Sequence, residues 1–409
     1  MAAREFTPGS IGLLASAVAA TAIGPSGLLL TTFTLFIGPI SQDLSWDHGE
    51  VSALVAVMGA AIALGSPLKG WAVDRWGARP VVLVLTLVLG LATAAVAAVP
   101  PTKAALYGLF GLIGLLAPGN IPFAKVVAGW FHARRGMAYG LLGFGISLGI
   151  PLGLQVGRRL IDAIGWRGTY LVYGGLDILV VLPLILLLFR DRPRGANIRG
   201  AQEPPEQPGA SLGQALTSQA FWLVVGNLAL GVFAMAGLMT HGVPLLMEKG
   251  LDRAAATDAL SALSLGVMLS QPLLGYLMDR HDSPKVALPF ALAAIAGLVA
   301  LQFGHSLISC LLALLVVGLG TGGESGTTQY FIGRYFGLRR FSLIYGCIQP
   351  INMGLAVGLG AYVLGALYDR GGSYQVDLLL MLAAVIVAAV LLLMMGPYTY
   401  RASAKTGDE

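Results

Sequence analysis

Apolar segments of about 20 residues dominate this chain, and short groups of charged residues separate them. A helix needs about 20 apolar residues to cross the hydrocarbon core of a bilayer. The pattern therefore predicts an all-α membrane protein with twelve transmembrane helices. The predicted helices cover residues 11–35, 51–70, 80–100, 104–127, 136–157, 168–189, 219–246, 255–277, 285–303, 306–331, 342–366 and 374–396.

The polar positions also repeat at a spacing of 205 residues, which is about half of the 409-residue chain. The recurring residues are Gly70, Asp74, Arg75, Phe131, Arg134 and Arg135, which return as Gly275, Asp279, Arg280, Phe336, Arg339 and Arg340. Two similar halves of a membrane protein are typical of transporters built from internal repeats. We therefore expect two pseudo-symmetric bundles of six helices each.

The segment between the two repeats differs in composition from the rest of the chain. It is rich in arginine and proline between residues 190 and 209, and such a sequence favours an extended chain over a packed core. We predict a first bundle at residues 1–189, a cytoplasmic linker at residues 190–215 and a second bundle at residues 216–409.

The composition excludes several classes of protein. Charged residues make up 11% of the chain, against about 25% in soluble domains, and apolar residues make up 56%. The two cysteines, Cys310 and Cys347, have neither metal-ligand spacing nor a partner pattern for disulfides. We find no nucleotide-binding loop, nucleophile–base pair or long basic run, so we expect no enzyme activity, no cofactor, no metal and no nucleic-acid partner.

The distribution of lysine and arginine predicts the orientation. When the twelve helices alternate in direction, 18 of the 25 basic residues, Lys69 among them, fall on the same side as the N-terminus, and 7 fall on the other side. Basic residues concentrate in cytoplasmic loops. We therefore expect both termini in the cytoplasm and a multi-pass protein of the cytoplasmic (inner) membrane.

The segment from Gly70 to Arg79 resembles the loop between the second and third helices of the major facilitator superfamily. Gly70 permits close helix approach, and Asp74 can accept hydrogen bonds from a helix N-terminus or from a cytoplasmic arginine. Such a contact can lock one conformation and open on switching. We therefore expect a cytoplasmic gate, and its predicted residues are Asp74, Arg75, Arg79, Asp279 and Arg280.

A second segment resembles one particular group of transporters within this superfamily. The sequence from Trp130 to Gly140 is similar to the entry to the fifth helix in the monocarboxylate transporters and the oxalate–formate antiporter group. The resemblance implies a small organic anion, often carried with a proton. Two positions differ from that group: Gln271 stands where the antiporter has a carboxylate-binding arginine, and Gln349 or Asn352 lies near the place of its lysine. Amides hydrogen-bond a carboxylate without neutralising its charge, so a dianion is disfavoured.

Ionisable residues within a predicted helix are costly and suggest function. Glu324 lies between glycines in the tenth helix, and a carboxyl there can load and release a proton or can pin helices together. Asp177 in the sixth helix fits a structural hydrogen bond better, and His241 lies near an outer helix end. Uncharged polar residues in helices that line the cavity of this superfamily are the predicted substrate contacts: Asn120, Ser147, Gln271, Gln349 and Asn352.

These observations predict a secondary active transporter of a small organic monocarboxylate, coupled to protons by symport and working by alternating access. Its partners would be the small organic acid, a proton and the lipid bilayer, and we expect a monomer. One alternative is an exporter or facilitator of a neutral or amphipathic small molecule, which agrees with the missing cationic residues. Another is a membrane receptor with a transporter fold, although the sequence contains no signalling domain.

Overall fold

The computed structural model describes residues 5–24, 28–29, 32–100, 102–191 and 208–400, and helices dominate these ranges. The α-helices, in chain order, are α1 (Pro8–Ile23), α2 (Thr34–Leu44), α3 (His48–Trp76), α4 (Ala78–Ala95), α5 (Lys103–Leu116), α6 (Ile121–Trp130), α7 (Arg135–Leu176), α8 (Leu182–Leu188), α9 (Leu212–Leu216), α10 (Gln219–Glu248), α11 (Arg253–Arg280), α12 (Leu288–Phe303), α13 (Leu307–Thr321), α14 (Glu324–Phe336), α15 (Phe341–Gln349), α16 (Gly358–Gly371) and α17 (Gln375–Met394). Two π-helical segments, Asp177–Val181 and Pro350–Val357, and a 3₁₀ turn, Pro284–Ala287, adjoin them.

Nine helical segments within the described ranges are long and apolar enough to cross a membrane. They confirm the all-helical membrane class, while the count of twelve stays a prediction. The first predicted helix, 11–35, is described only in part: α1 ends at Ile23 and α2 begins at Thr34. Between them residues 28, 29 and 32 are helical, and residues 25–27, 30 and 31 lie outside the described ranges. The predicted turn between the fifth and sixth helices coincides with Gly165, whose φ of 72° interrupts the helical backbone of α7.

Two membrane segments contain a break near their middle, although the sequence pattern predicted continuous helices at 104–127 and 306–331. The first break separates α5 from α6 at residues 117–120, and the second separates α13 from α14 at residues 322–323. Proline removes a backbone donor at position 118, and Gly119 has a φ of 59°. The two breaks are related by the 205-residue repeat of the sequence.

Two compact units account for the packing. The first unit contains residues 1–132, 145–208 and 338–350, and the second contains 133–144, 209–337 and 351–409. Each unit includes a short segment from the other half of the sequence. The predicted bundles, 1–189 and 216–409, therefore stay a prediction drawn from the repeat alone. Most of the predicted linker at 190–215 lies outside the described residues, because its residues 192–207 are not described.

Equivalent close contacts occur inside the two units. In the first unit a Cβ at Gly114 would overlap the carbonyl oxygen of Met58, and in the second a Cβ at Gly318 would overlap the carbonyl oxygen of Leu263. Small residues let helix backbones approach where no hydrophobic driving force between helices exists. Each unit also has its own apolar core, one around Phe110 and the other around Leu263, Leu314 and Met381.

Candidate functional site

Asp74 is the centre of a polar contact in the first unit. It lies in the last turn of α3, and its carboxylate is completely buried. The backbone N–H groups of Ser342 and Leu343 donate to its Oδ1 and Oδ2 at 3.2 and 2.9 Å. These N–H groups belong to the first turn of α15, where helical amides have no intrahelical partner. A carboxylate at that position also interacts favourably with the helix dipole.

A lysine and two glycines complete this contact. Lys125 in α6 lies 3.3 Å from the Oδ1 atom of Asp74, and its ammonium group also donates to the carbonyl oxygen of Leu338. A Cβ at Gly70 would overlap the carbonyl oxygen of Ser342, and one at Gly346 would overlap that of Ser66. The absence of side chains at these two positions is therefore what lets α3 and α15 touch.

The second unit contains the equivalent contact around Asp279. The backbone N–H groups of Gly136 and Met137, in the first turn of α7, donate to Asp279 at 2.6 and 2.8 Å. Gly275 is packed directly against the carbonyl group of Gly136. Both aspartates of the repeat thus accept hydrogen bonds from a helix N-terminus, which is the first of the two arrangements that the sequence allowed.

The two contacts differ at the position of Lys125. The equivalent residue 205 positions later is Tyr330, whose hydroxyl group donates to the carbonyl oxygen of Met278 at 2.9 Å. At this position a lysine in the first unit is therefore replaced by a tyrosine in the second, although both aspartates accept bonds from backbone amides.

The three arginines that the sequence assigned to the gate occupy different surroundings. The Arg79 guanidinium donates to the carbonyl oxygen of Leu186 at 2.8 Å, at the end of α8, and its backbone N–H donates to Asp191 at 2.9 Å. Arg75 is exposed. Arg280 is also exposed, and its guanidinium carbon lies 4.4 Å from the ring centre of Tyr276. Arg79 is thus bound to the end of α8.

The predicted substrate contacts are divided between the units. Asn120, Ser147 and Gln349 belong to the first unit, while Gln271 and Asn352 belong to the second. Asn120 is only 9% exposed, and its two amide atoms have no hydrogen-bond partner among the described residues. Ser147 and Gln349 are half-buried.

Gln271 is buried in α11, and its side chain presses against Gly143, where a Cβ would overlap the amide oxygen. Asn352 is half-buried in a π-helical segment, and its Oδ1 atom has no hydrogen-bond partner within the described ranges. Glu324, the predicted proton site, begins α14 directly after the second break. Its side chain lies outside the described part of the structure.

Sequence reasoning missed a buried acid in the second unit. Asp377, near the start of α17, is completely buried, and neither carboxylate oxygen has a hydrogen-bond partner among the residues described. Its electrostatic neighbours are His241 and Glu248 of α10. An acid at the end of an apolar segment usually lies in the interface, so its position along the sequence did not single it out. His241 itself packs against the ring of Tyr374, with 5.9 Å between ring centres.

Asp177 is another buried acid of the first unit, and it lies in a π-helical turn. Its side chain lies close to two glycines, Gly24 at the end of α1 and Gly90 in α4. Close packing of this kind fits the structural role that the sequence favoured. Among the described residues, no group of three or more histidine, cysteine or acidic side chains could hold a metal ion.

Comparisons with known proteins agree with this architecture. Human monocarboxylate transporter 2 is 24% identical over 399 residues, covering 90% of this chain and 81% of that protein. The 3-(3-hydroxy-phenyl)propionate transporter of Escherichia coli is 27% identical over 308 residues, covering 73% of each chain. The fold resembles that of the E. coli fucose:proton symporter, with a TM-score of 0.69, 13% identity and coverage of 93% of this chain and 97% of the other.

The family comparison covers most of the sequence. Residues 19–360 match the sequence profile of the Major Facilitator Superfamily. The match includes both aspartate contacts and both helix breaks. The related proteins are transporters and not enzymes. This chain therefore belongs to the Major Facilitator Superfamily and is a multi-pass membrane transporter.

Proposed function

We propose that the protein is a secondary active transporter of a small organic monocarboxylate, coupled to protons by symport and working by alternating access. The observation that carries the proposal is the similarity to monocarboxylate transporter 2 over 90% of this chain. The similarity to the hydroxyphenylpropionate transporter supports the same substrate class, because both names denote carboxylic acids.

The proposed substrate contacts are buried or half-buried polar side chains in membrane segments: Asn120, Ser147, Gln271, Gln349 and Asn352. Buried polar groups need partners, since an unsatisfied donor or acceptor costs about 1–3 kcal/mol. The amide atoms of Asn120 and the Oδ1 atom of Asn352 have no hydrogen-bond partner among the described residues. A substrate that hydrogen-bonds to either residue would remove the cost at that residue.

The proposed proton site is Glu324, and the proposed gate contains Asp74, Arg75, Arg79, Asp279 and Arg280. The bonds from helix N-termini to Asp74 and Asp279 support the gate. Each contact joins two helices through one carboxylate, so separating the helices would break both bonds at once. We place the protein in the cytoplasmic membrane as a monomer with both termini in the cytoplasm.

Transport into proteoliposomes tests this proposal. The assay compares labelled lactate, pyruvate, 3-phenylpropionate and a neutral amino acid under an inward proton gradient. We expect accumulation of at least one acid and its loss when a protonophore collapses the gradient. Glu324→Gln should keep exchange of that acid but lose gradient-driven accumulation. The control is Glu50→Gln, which removes a glutamate that is paired with the exposed Lys103 and should transport like the wild type.

One alternative function is the export or facilitated diffusion of a neutral or amphipathic molecule. The observation that favours it is Gln271, a neutral residue where the oxalate–formate antiporter group has an arginine. Accumulation of none of the three acids, together with movement of a neutral compound, would support this alternative and contradict the proposal. Wild-type accumulation by Glu324→Gln would reject only the proton site.

A further inference from the structure

Lys69 is a buried lysine within the membrane segment α3. It is 6% exposed, and its ammonium nitrogen donates to the carbonyl oxygen of Ala117 at 2.7 Å. Ala117 follows the last residue of α5, at the first helix break. No carboxylate forms an ion pair with Lys69 in the part of the chain that the structure describes. A buried cation in a membrane segment is costly and suggests a function.

The other side of the same break offers groups that suit an anion. Asn120 immediately precedes α6, a helix of 10 residues, and is buried without a hydrogen-bond partner for its amide among the described residues. Its own carbonyl oxygen accepts the N–H group of Ala124 at 2.9 Å. The N–H groups of Ile121 and Phe123 lie in the first turn, where amides lack intrahelical acceptors. Amides at a helix N-terminus, together with the helix dipole, favour a negative charge.

The second half of the chain shows that packing at such a break does not require a cation. The residue equivalent to Lys69, 205 positions later, is Leu274. Its side chain packs directly against Gly323, at the second break. A leucine therefore fills the same place in the second unit. The lysine in the first unit adds a charge that helix packing alone does not explain.

We propose that Lys69, the Asn120 amide and the first N–H groups of α6 form a carboxylate-binding site in the first unit. This inference rests on the proposed function and assigns the carboxylate of the transported acid to these groups. An ammonium group has three donors, and the bond to Ala117 uses one of them. The remaining donors and the Asn120 amide can bind the two oxygens of a carboxylate while α6 supplies backbone amides.

The site also accounts for the neutral residues in the second half. Gln271 stands where the oxalate–formate antiporter group has an arginine, and Gln349 and Asn352 lie near the position of its lysine. Because Lys69 is the one cation among the proposed groups, a single negative charge is neutralised and a second is not. A monocarboxylate fits this charge, and a dicarboxylate does not.

The test measures binding of acids and of their uncharged amides to the purified full-length protein near neutral pH. The probe pairs are lactate with lactamide and 3-phenylpropionate with 3-phenylpropanamide, and ligand-induced thermal shifts give the apparent Kd. We expect Lys69→Gln to weaken binding of the acid at least about tenfold, which is about 1.4 kcal/mol. Binding of the amide should change far less, and Lys69→Arg should retain more acid binding than Lys69→Gln.

The matched control is Lys249→Gln, because Lys249 also donates to a backbone carbonyl, that of Gln302, at 3.0 Å. It should bind the acid like the wild type. Should Lys69→Gln fail to fold, Asn120→Asp places a negative charge in the site while leaving the lysine in place, and we expect a similar loss of acid binding. Acid binding within about twofold of wild type by a folded Lys69→Gln or Asn120→Asp variant overturns the site. An equal loss in Lys249→Gln also overturns it.

Different experimental results would contradict the proposed function and the proposed carboxylate site. If the wild type neither binds nor transports any of the acids, both the proposed function and the carboxylate site are wrong. If the wild type transports an acid and Lys69→Gln does so with an unchanged KM, only the carboxylate site is wrong.

Discussion

Asp74 and Lys125 form an ion pair with 3.3 Å between Oδ1 and Nζ, and the same carboxylate accepts two backbone N–H groups at the start of α15. The carboxylate is completely buried, and the Lys125 side chain is 19% exposed. A buried ion of this kind is stabilised only when both its charge and its hydrogen bonds are satisfied. The Asp74 carboxylate therefore adds a polar link between α3 and α15 to the backbone packing at Gly70 and Gly346.

The first prediction concerns the coupling between these two residues. Asp74→Asn leaves the partly buried Lys125 without its counter-ion and should lower the free energy of unfolding by about 3 kcal/mol. Lys125→Gln in the Asp74→Asn background should restore part of that loss, because the unpaired charge is then removed as well. A double-mutant cycle from chemical unfolding of the purified protein measures the coupling energy.

The exposed pair Glu50–Lys103 provides the control for that cycle. Its carboxylate and ammonium groups are in contact with solvent, so removing either one should change stability little. Additive effects of Asp74→Asn and Lys125→Gln would show that the buried pair is energetically independent and would contradict the prediction.

The second prediction concerns the glycine beside Asp74. A methyl group at Gly70 would overlap the carbonyl group of Ser342, so Gly70→Ala should force α3 and α15 apart. We expect a lower melting temperature and a loss of most transport activity. Gly108→Ala is the matched control, because Gly108 lies in α5 with open space around its Cβ position. There alanine should be neutral or stabilising by up to about 1 kcal/mol through its helix propensity.

The third prediction separates substrate contact from folding at Gln271. Gly143→Ala would push the Gln271 side chain away without altering that residue, because the added methyl group overlaps its amide oxygen. If Gln271 binds substrate, Gly143→Ala and Gln271→Ala should both raise the KM of transport by about tenfold, the value of one hydrogen bond to a charged group. The melting temperature of Gly143→Ala should stay near that of the wild type.

Gly175→Ala is the control for this substitution, since nothing lies near the Cβ position of Gly175. A wild-type KM for Gly143→Ala combined with a raised KM for Gln271→Ala would mean that the position of the Gln271 side chain is unimportant. The prediction would then be wrong.

Local patterns in the sequence were enough to predict much of this architecture. Apolar segments about 20 residues long predicted the membrane helices, and the repeat at Asp74 and Asp279 predicted two equivalent contacts. A carboxylate that follows a glycine by four residues at the end of a helix is a local signal, and a helix N-terminus is a common partner for it. The bonds from Ser342 and Met137 agree with that interpretation.

Features that depend on distant parts of the chain could not be predicted in the same way. Lys69 was counted as an orienting charge, because nothing near it in the sequence indicates that Ala117 lies beside it. The burial of Asp377 could not be predicted for the same reason, because it results from packing between helices that are far apart in the sequence. The breaks at residues 117–120 and 322–323 contain proline or glycine, but many helices here, including α3 and α11, continue through an internal proline.

The last prediction concerns Arg334, which is 3% exposed in the second unit. Its guanidinium carbon lies 4.6 Å from the ring centre of Tyr398, and the group also pairs with Asp282, whose side chain is 60% exposed. Burial raises the pKa of the Tyr398 phenol, so the ring stays neutral. Its hydroxyl group has no hydrogen-bond partner within the described residues. The ring face, and not the hydroxyl group or the exposed carboxylate, should therefore supply most of the stabilisation.

Three substitutions, measured by thermal unfolding in low and high salt, test which of these groups contributes most to stability. Tyr398→Phe keeps the ring face and should match the wild type, while Tyr398→Leu loses it and should cost about 1–2 kcal/mol. Asp282→Asn should cost at most about 1 kcal/mol and less in high salt, because solvent screens an exposed partner. A larger loss for Asp282→Asn than for Tyr398→Leu would show that the ion pair dominates. Because Tyr398 follows the last membrane helix, a loss in Tyr398→Leu would also show that this segment stabilises the second unit.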